Sequence, residues 1–104
     1  MQRQRNSRWL IASVTLASIS LCTNSFAASD EKLLNMCKAC HGQTGHNPFP
    51  SIPNLAQQNS QYMVEQLTAF KNGQRQDKTM SKVAKLLTTE QMQQMAHYFS
   101  KGKD

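Results

Sequence analysis

Cys37-Lys38-Ala39-Cys40-His41 is the stretch whose reading decides the fold. Two thiols three residues apart share one face of a helical turn, and an imidazole follows the second directly. C-x-x-C-H is the pattern of covalent haem attachment. The thiols of Cys37 and Cys40 add across two vinyl groups, and His41 is the proximal iron ligand. Three other uses of the pair fit the chain less well. A zinc site needs further ligands, and no second Cys pair or His-x-x-x-His follows. A thioredoxin-like redox pair needs strand–helix–strand patterning, and strand signals are almost missing here. A disulfide within one turn would constrain very little chain. One haem c, with its iron, is therefore the expected cofactor.

On the N-terminal side, Arg3, Arg5 and Arg8 precede an apolar and small-residue run, Trp9 to Cys22. Asn24-Ser25-Phe26-Ala27-Ala28 then offers small residues for cleavage. This is the make-up of a secretory signal peptide, assigned to residues 1–27, with Cys22 removed along with it. The run is too short and too rich in Ser and Thr to suit a membrane span. Export agrees with the haem motif, because attachment takes place outside the bacterial inner membrane. The expected location is the periplasm. No twin-arginine pair is present, so the chain is expected to cross unfolded and to receive its haem afterwards.

Residues 28–104 then form one small domain. Domains of this size bury a thin core and need a staple, which a covalently held apolar disc would supply. The formal charge of +6 overstates the basic character. Three of the twelve basic residues lie in the leader and all six acids lie beyond it, so nine bases face six acids and the net charge falls to +3. That is a poor basis for nucleic-acid binding, and none is expected. Lys71, Arg75, Lys78, Lys82 and Lys85 nevertheless cluster with only Asp77 opposing them. They make either a solvated face or a basic rim that steers an acidic partner.

Working outward from the motif, Ser29-Asp30-Glu31 opens a first helix that runs to His41, where Gly42 stops it. Gly45, Pro48, Pro50 and Pro53 keep residues 42–59 irregular. A second helix starts at Asn59 or Ser60, buries Met63, Leu67 and Phe70, and ends at Asn72-Gly73. Ser81 to Leu87 reads as a short helix with Val83, Leu86 and Leu87 inward. Thr88-Thr89-Glu90-Gln91 is a capping box for the last helix, which buries Met92, Met95, Ala96 and Phe99. The fold class is all-α, with three to five helices around one haem.

Met80 is the candidate distal iron ligand. It stands after a polar, irregular stretch, which is odd for a core methionine and suits a ligand carried by a loop. Met63, Met92 and Met95 lie in helical stripes and read as core. Met36 adjoins the attachment site and cannot fold over the far face. His46 and His97 are the rival imidazoles. The first is only five residues beyond His41, and the second is on or near the solvent side of the last helix.

Taken in order, the haem motif, Ile52-Pro53-Asn54-Leu55-Ala56, Tyr62, Gln66-Leu67, Phe70, Gly73, Arg75, an isolated Met80 and a capped final helix resemble the class I cytochromes c. The resemblance is to the small single-haem bacterial kind, and also to one half of the two-haem bacterial cytochromes of that class. It implies the cytochrome c fold, with Met80 as distal ligand. It implies that the Pro53 carbonyl accepts a hydrogen bond from the His41 imidazole. Arg75 and Tyr62 become candidates for contact with the haem propionates. The implied role is that of a periplasmic one-electron carrier rather than an enzyme. It would work as a monomer between a quinol-oxidising complex or dehydrogenase and a terminal oxidase or reductase. Alternatives are a haem subunit of a larger dehydrogenase, or an open-site haem enzyme or sensor. Two features depart from the family pattern. Gln57 stands where a glycine is common, and Met92 and Met95 soften the last helix interface.

Overall fold

Leu34, Met63, Met95, Ala96 and Phe99 make the central core, and they come from three different helices. The computed structural model describes residues 27–102. Over that span the order is α1 (Ala28–His41), α2 (Ser60–Asn72), α3 (Met80–Ala84) and α4 (Thr89–Ser100), with no strand among the described residues. The leader expected over residues 1–27 lies outside the described residues except for Ala27. No described helix is long and apolar enough to cross a membrane.

The start of α1 differs from the expected one. Its N-cap is Ala27, with no side-chain capping bond. Asp30 is buried and serves a contact between helices instead, where its Oδ1 accepts from Gln91 Nε2 of α4 at 2.8 Å. The same Gln91 side chain completes the capping box of α4, where its Oε1 accepts from Thr88 N at 3.0 Å and Thr88 Oγ1 accepts from Gln91 N at 3.2 Å. One glutamine thus caps α4 and ties its first turn to the first turn of α1.

Asn59 caps α2, its side chain accepting from Tyr62 N at 2.9 Å, and Gly73 ends the helix at a φ of 82°. α2 packs on both α3 and α4. Met92 is fully enclosed and receives the Thr68 hydroxyl on its sulfur at 3.7 Å. Helix α3 is shorter than its sequence suggests. After Ala84 the chain tightens into turns in which Leu86 N donates to Val83 O and Leu87 N to Ala84 O. A three-residue repeat aligns residues i and i+3. Ala84 and Leu87 therefore both point inward, whereas Leu86 is 61% exposed, contrary to the inward position read from a 3.6-residue period.

The turn at Gln57 keeps its shape without a glycine. Gln57 is the one non-glycine among the described residues with a positive φ, 61°, and its N–H donates to Phe99 O at 3.0 Å. This left-handed turn hangs the end of the 42–59 loop on the last turn of α4.

Candidate functional site

The end of α1, the loop that follows it, the inner face of α2, the start of α3 and the last turns of α4 enclose a cleft of about 350 Å³. Its apolar wall includes Leu55, Leu67, Phe70, Met95 and Phe99. Cys37 and His41 line it from α1, Pro53 from the loop, Tyr62 from α2, Arg75 from the turn after α2, and Met80 from the first position of α3. Of the seven residues expected to hold the haem, only Cys40 lies off this lining; it is exposed, one turn along α1 from Cys37.

Local rules place the motif. Helix α1 carries both thiols, and it must stop immediately after His41. Gly42 makes that stop, with a φ of 92° and its N–H on Lys38 O at 2.9 Å. A side chain there would strike the carbonyl oxygen of His46 at 1.7 Å. The chain then folds back, so that the Pro53 carbonyl oxygen accepts from His41 Nδ1 at 2.8 Å. His41 is itself only 6% exposed. With the proton held on Nδ1, the other ring nitrogen is left as a lone-pair donor. The Cys37 thiol is half-buried against the core, and this burial raises its pKa above the ordinary thiol value. A backbone hydrogen bond opposes the rise and the neighbouring Cys40 adds slightly to it.

On the other side, Met80 is half-buried at the start of a five-residue helix. Asp77, which in the sequence stands out only as the lone acid among lysines, holds that start. Its Oδ1 accepts from Met80 N at 2.7 Å and from Thr79 N at 2.9 Å. These two backbone donors hold the Asp77 carboxyl below its ordinary value. An Asp two and three residues ahead of its backbone donors is a turn signal, and it was available in the sequence.

Arg75 Nη1 donates to Gln66 Oε1 at 2.7 Å, and its guanidinium lies 4.5 Å from the centre of the Phe70 ring. That stacking fixes the guanidinium at the cleft wall. Tyr62 is 47% exposed and lines the cleft. Met63 and Met95 also reach the cleft but belong to the closed core, at 6% and 2% exposure. His46 and His97 are both exposed, and neither lines the cleft.

The donor set suits a covalently held haem: an apolar slot, a thiol on its wall with a second one turn away, an imidazole with its proton committed to the protein, and a thioether. The Arg75 guanidinium adds a positive charge to the cleft lining.

Fold and donor set together define a small helical domain for haem c. The family model described as cytochrome c matches residues 31–103. The chain is 34% identical over 77 residues to cytochrome c-554(548) of Halomonas halodenitrificans, covering 71% of this chain and 93% of that protein. It is 42% identical over 64 residues to cytochrome c-552 of Acidithiobacillus ferridurans, covering 62% of this chain and 27% of that one. It is 43% identical over 68 residues to the thiosulfate dehydrogenase electron acceptor of Thiomonas intermedia, covering 64% and 31%. The chain belongs to the cytochrome c family, and its cofactor is haem c with its iron. It spans between a quarter and a third of the length of the last two relatives and nearly all of the first.

Proposed function

We propose that this chain is a one-electron carrier whose haem is fixed by Cys37 and Cys40 and ligated by His41 and Met80. The observation that carries the reading is the presence of a proton-committed imidazole and a thioether on one apolar cleft. Haem iron held by His41 and Met80 would supply a one-electron couple, and the thioether would favour its reduced state. The chain's own residues then do four things. The Pro53 carbonyl orients His41 and increases its basicity. Asp77 presents Met80. Leu55, Leu67, Phe70 and Phe99 exclude water. Arg75 and Tyr62 meet the propionates at the rim.

With His41 and Met80 both on the iron, no position would remain there for a substrate, so the protein is read as a carrier and not as an enzyme. A ferric spectrum lacking the weak far-red absorption of iron–thioether charge transfer would remove Met80 from the iron. Carbon monoxide binding to the ferrous wild type without displacement of a ligand would favour an open-site enzyme or sensor.

The partner is proposed to be an acidic redox protein. A surface groove of about 600 Å³ lies beside the cleft, sharing Phe70 and Asp77 with it and lined by Lys71, Lys78 and Lys85. Reduction by such a partner should slow as salt is added, because the Debye length shrinks to about 10 Å at 0.1 M. A rate indifferent to salt would remove the basic-rim docking. The name of the Thiomonas relative, an electron acceptor of a dehydrogenase, supports a dehydrogenase as donor and keeps open a dedicated haem subunit of such an enzyme. Purification of the chain alone as a monomer, or with a dehydrogenase, separates the two. Location in the periplasm, after removal of residues 1–27, is read from the leader, and fractionation with mass measurement of the mature chain tests it.

A further inference from the structure

The loop that presents Pro53 to His41 is organised around one side chain. Asn47 makes four hydrogen bonds within it. Its N–H donates to Asn54 Oδ1 at 3.0 Å, and its side-chain amide donates to the same oxygen at 3.1 Å. That amide also donates to the Ile52 carbonyl at 3.1 Å, and Asn47 Oδ1 accepts from Phe49 N at 2.9 Å. Ile52 and Asn54 are the two residues that flank Pro53. Asn47 therefore grips the chain on both sides of the carbonyl that receives the His41 proton at 2.8 Å. Proline has no N–H with which to anchor itself, and Pro53 is exposed. Asn47 does not line the cleft. Whatever it does for the iron ligand, it does through the loop.

We propose that Asn47 is a positioning residue for the haem iron: by clasping Ile52 and Asn54 it fixes the Pro53 carbonyl on His41 Nδ1 and so sets the reduction potential. The inference rests on His41 as the iron ligand. A well-placed carbonyl makes the imidazole more basic, which stabilises oxidised iron. Loosening the carbonyl should raise the potential.

The test uses the haem-loaded protein. Asn47→Ala, which loses three side-chain bonds, is compared with Thr88→Ala. The latter lowers stability by removing the α4 cap, far from the loop in sequence and off the cleft. Asn47→Ala should shift the ferric-to-ferrous ratio at fixed potential threefold to tenfold toward ferrous, an upward shift of about 28–59 mV at 59 mV per decade. In the ferrous protein, exchange of the His41 Nδ1 proton with solvent should quicken about tenfold by proton NMR. Thr88→Ala should leave both readings at wild type. If Asn47→Ala yields no holoprotein, Asn47→Ser, which keeps a short acceptor for Phe49 N, should give a smaller shift in the same direction. A wild-type potential and proton exchange in the Asn47 variants would overturn the proposal, as would an equal shift in Thr88→Ala. Failure of His41 ligation would instead be visible in the wild type, as a spectrum without nitrogen-ligated low-spin iron.

Discussion

The two chain segments that carry the iron ligands are held by different means. The His41 side, residues 42–59, is laced by contacts that reach well beyond neighbouring residues. The Gly45 carbonyl accepts from both Leu55 N and Ala56 N, Gln57 N reaches Phe99 O, and Asn47 reaches Ile52 and Asn54. The Met80 side is moored at its two ends, where Arg75 reaches Ala69 O and Gln66 and the Leu87 carbonyl accepts from Lys71, but between them residues 76–86 are held by bonds within four residues: Asp77 to Thr79 and Met80, Ser81 to Asp77, and the turns after Ala84. Residues 71–79 are all exposed. A segment with local bonds and little burial opens at lower free energy than one tied across the fold. The thioether side should therefore yield first, and the imidazole side should keep its haem.

The largest expected effect breaks the stronger side. Gly42→Ala puts a Cβ on the His46 carbonyl at a φ of 92°. It should cost at least roughly 2–3 kcal/mol and abolish stable holoprotein, read by thermal unfolding. Met80→Ala tests the weaker side. The protein should stay folded, lose the far-red ferric band, bind carbon monoxide and shift more than about tenfold toward ferric. Retention of the wild-type spectrum would assign the ligand elsewhere. Asp77→Ala removes the acceptor for two backbone donors. Amide exchange at residues 79–83 should rise severalfold while residues 45–57 stay protected; equal loosening of both segments would erase the contrast between them. The smallest effect is a gain. Gln57→Gly relieves a left-handed residue with an exposed side chain, and should stabilise by about 1 kcal/mol, or ~4–8 °C in Tm.

Much of the fold was legible because it is local. The haem pentad, Gly42, the Asn59 cap, Gly73 and the Thr88–Gln91 box depend on residues a few positions apart, and each stands where the sequence puts it. Site residues from five segments, all but Cys40, also line one cleft. Long-range polar choices could not be read. Asp30 looks like a first-turn acid and is instead the buried partner of Gln91, 61 positions away. Asn47 and Asn54 look like ordinary loop residues, because no periodicity announces a clasp. A helical period misplaces Leu86, because the chain leaves that period after Ala84 with no glycine or proline to mark the change.

The bond between Gln91 and Asp30 has a consequence for assembly. It joins the first helix to the last across a separation of 61 residues. Closing a loop of that length costs roughly 4 kcal/mol in chain entropy, so local helices form well ahead of it. Until α4 docks, the Cys37 sulfur lacks Met95, Ala96 and Phe99 of the core cluster it packs against. In the closed fold that sulfur is half-buried yet still lines the cleft, so the docking of α4 narrows the approach to it without sealing it. The last helix thus acts as a door drawn partly shut on the inner thiol.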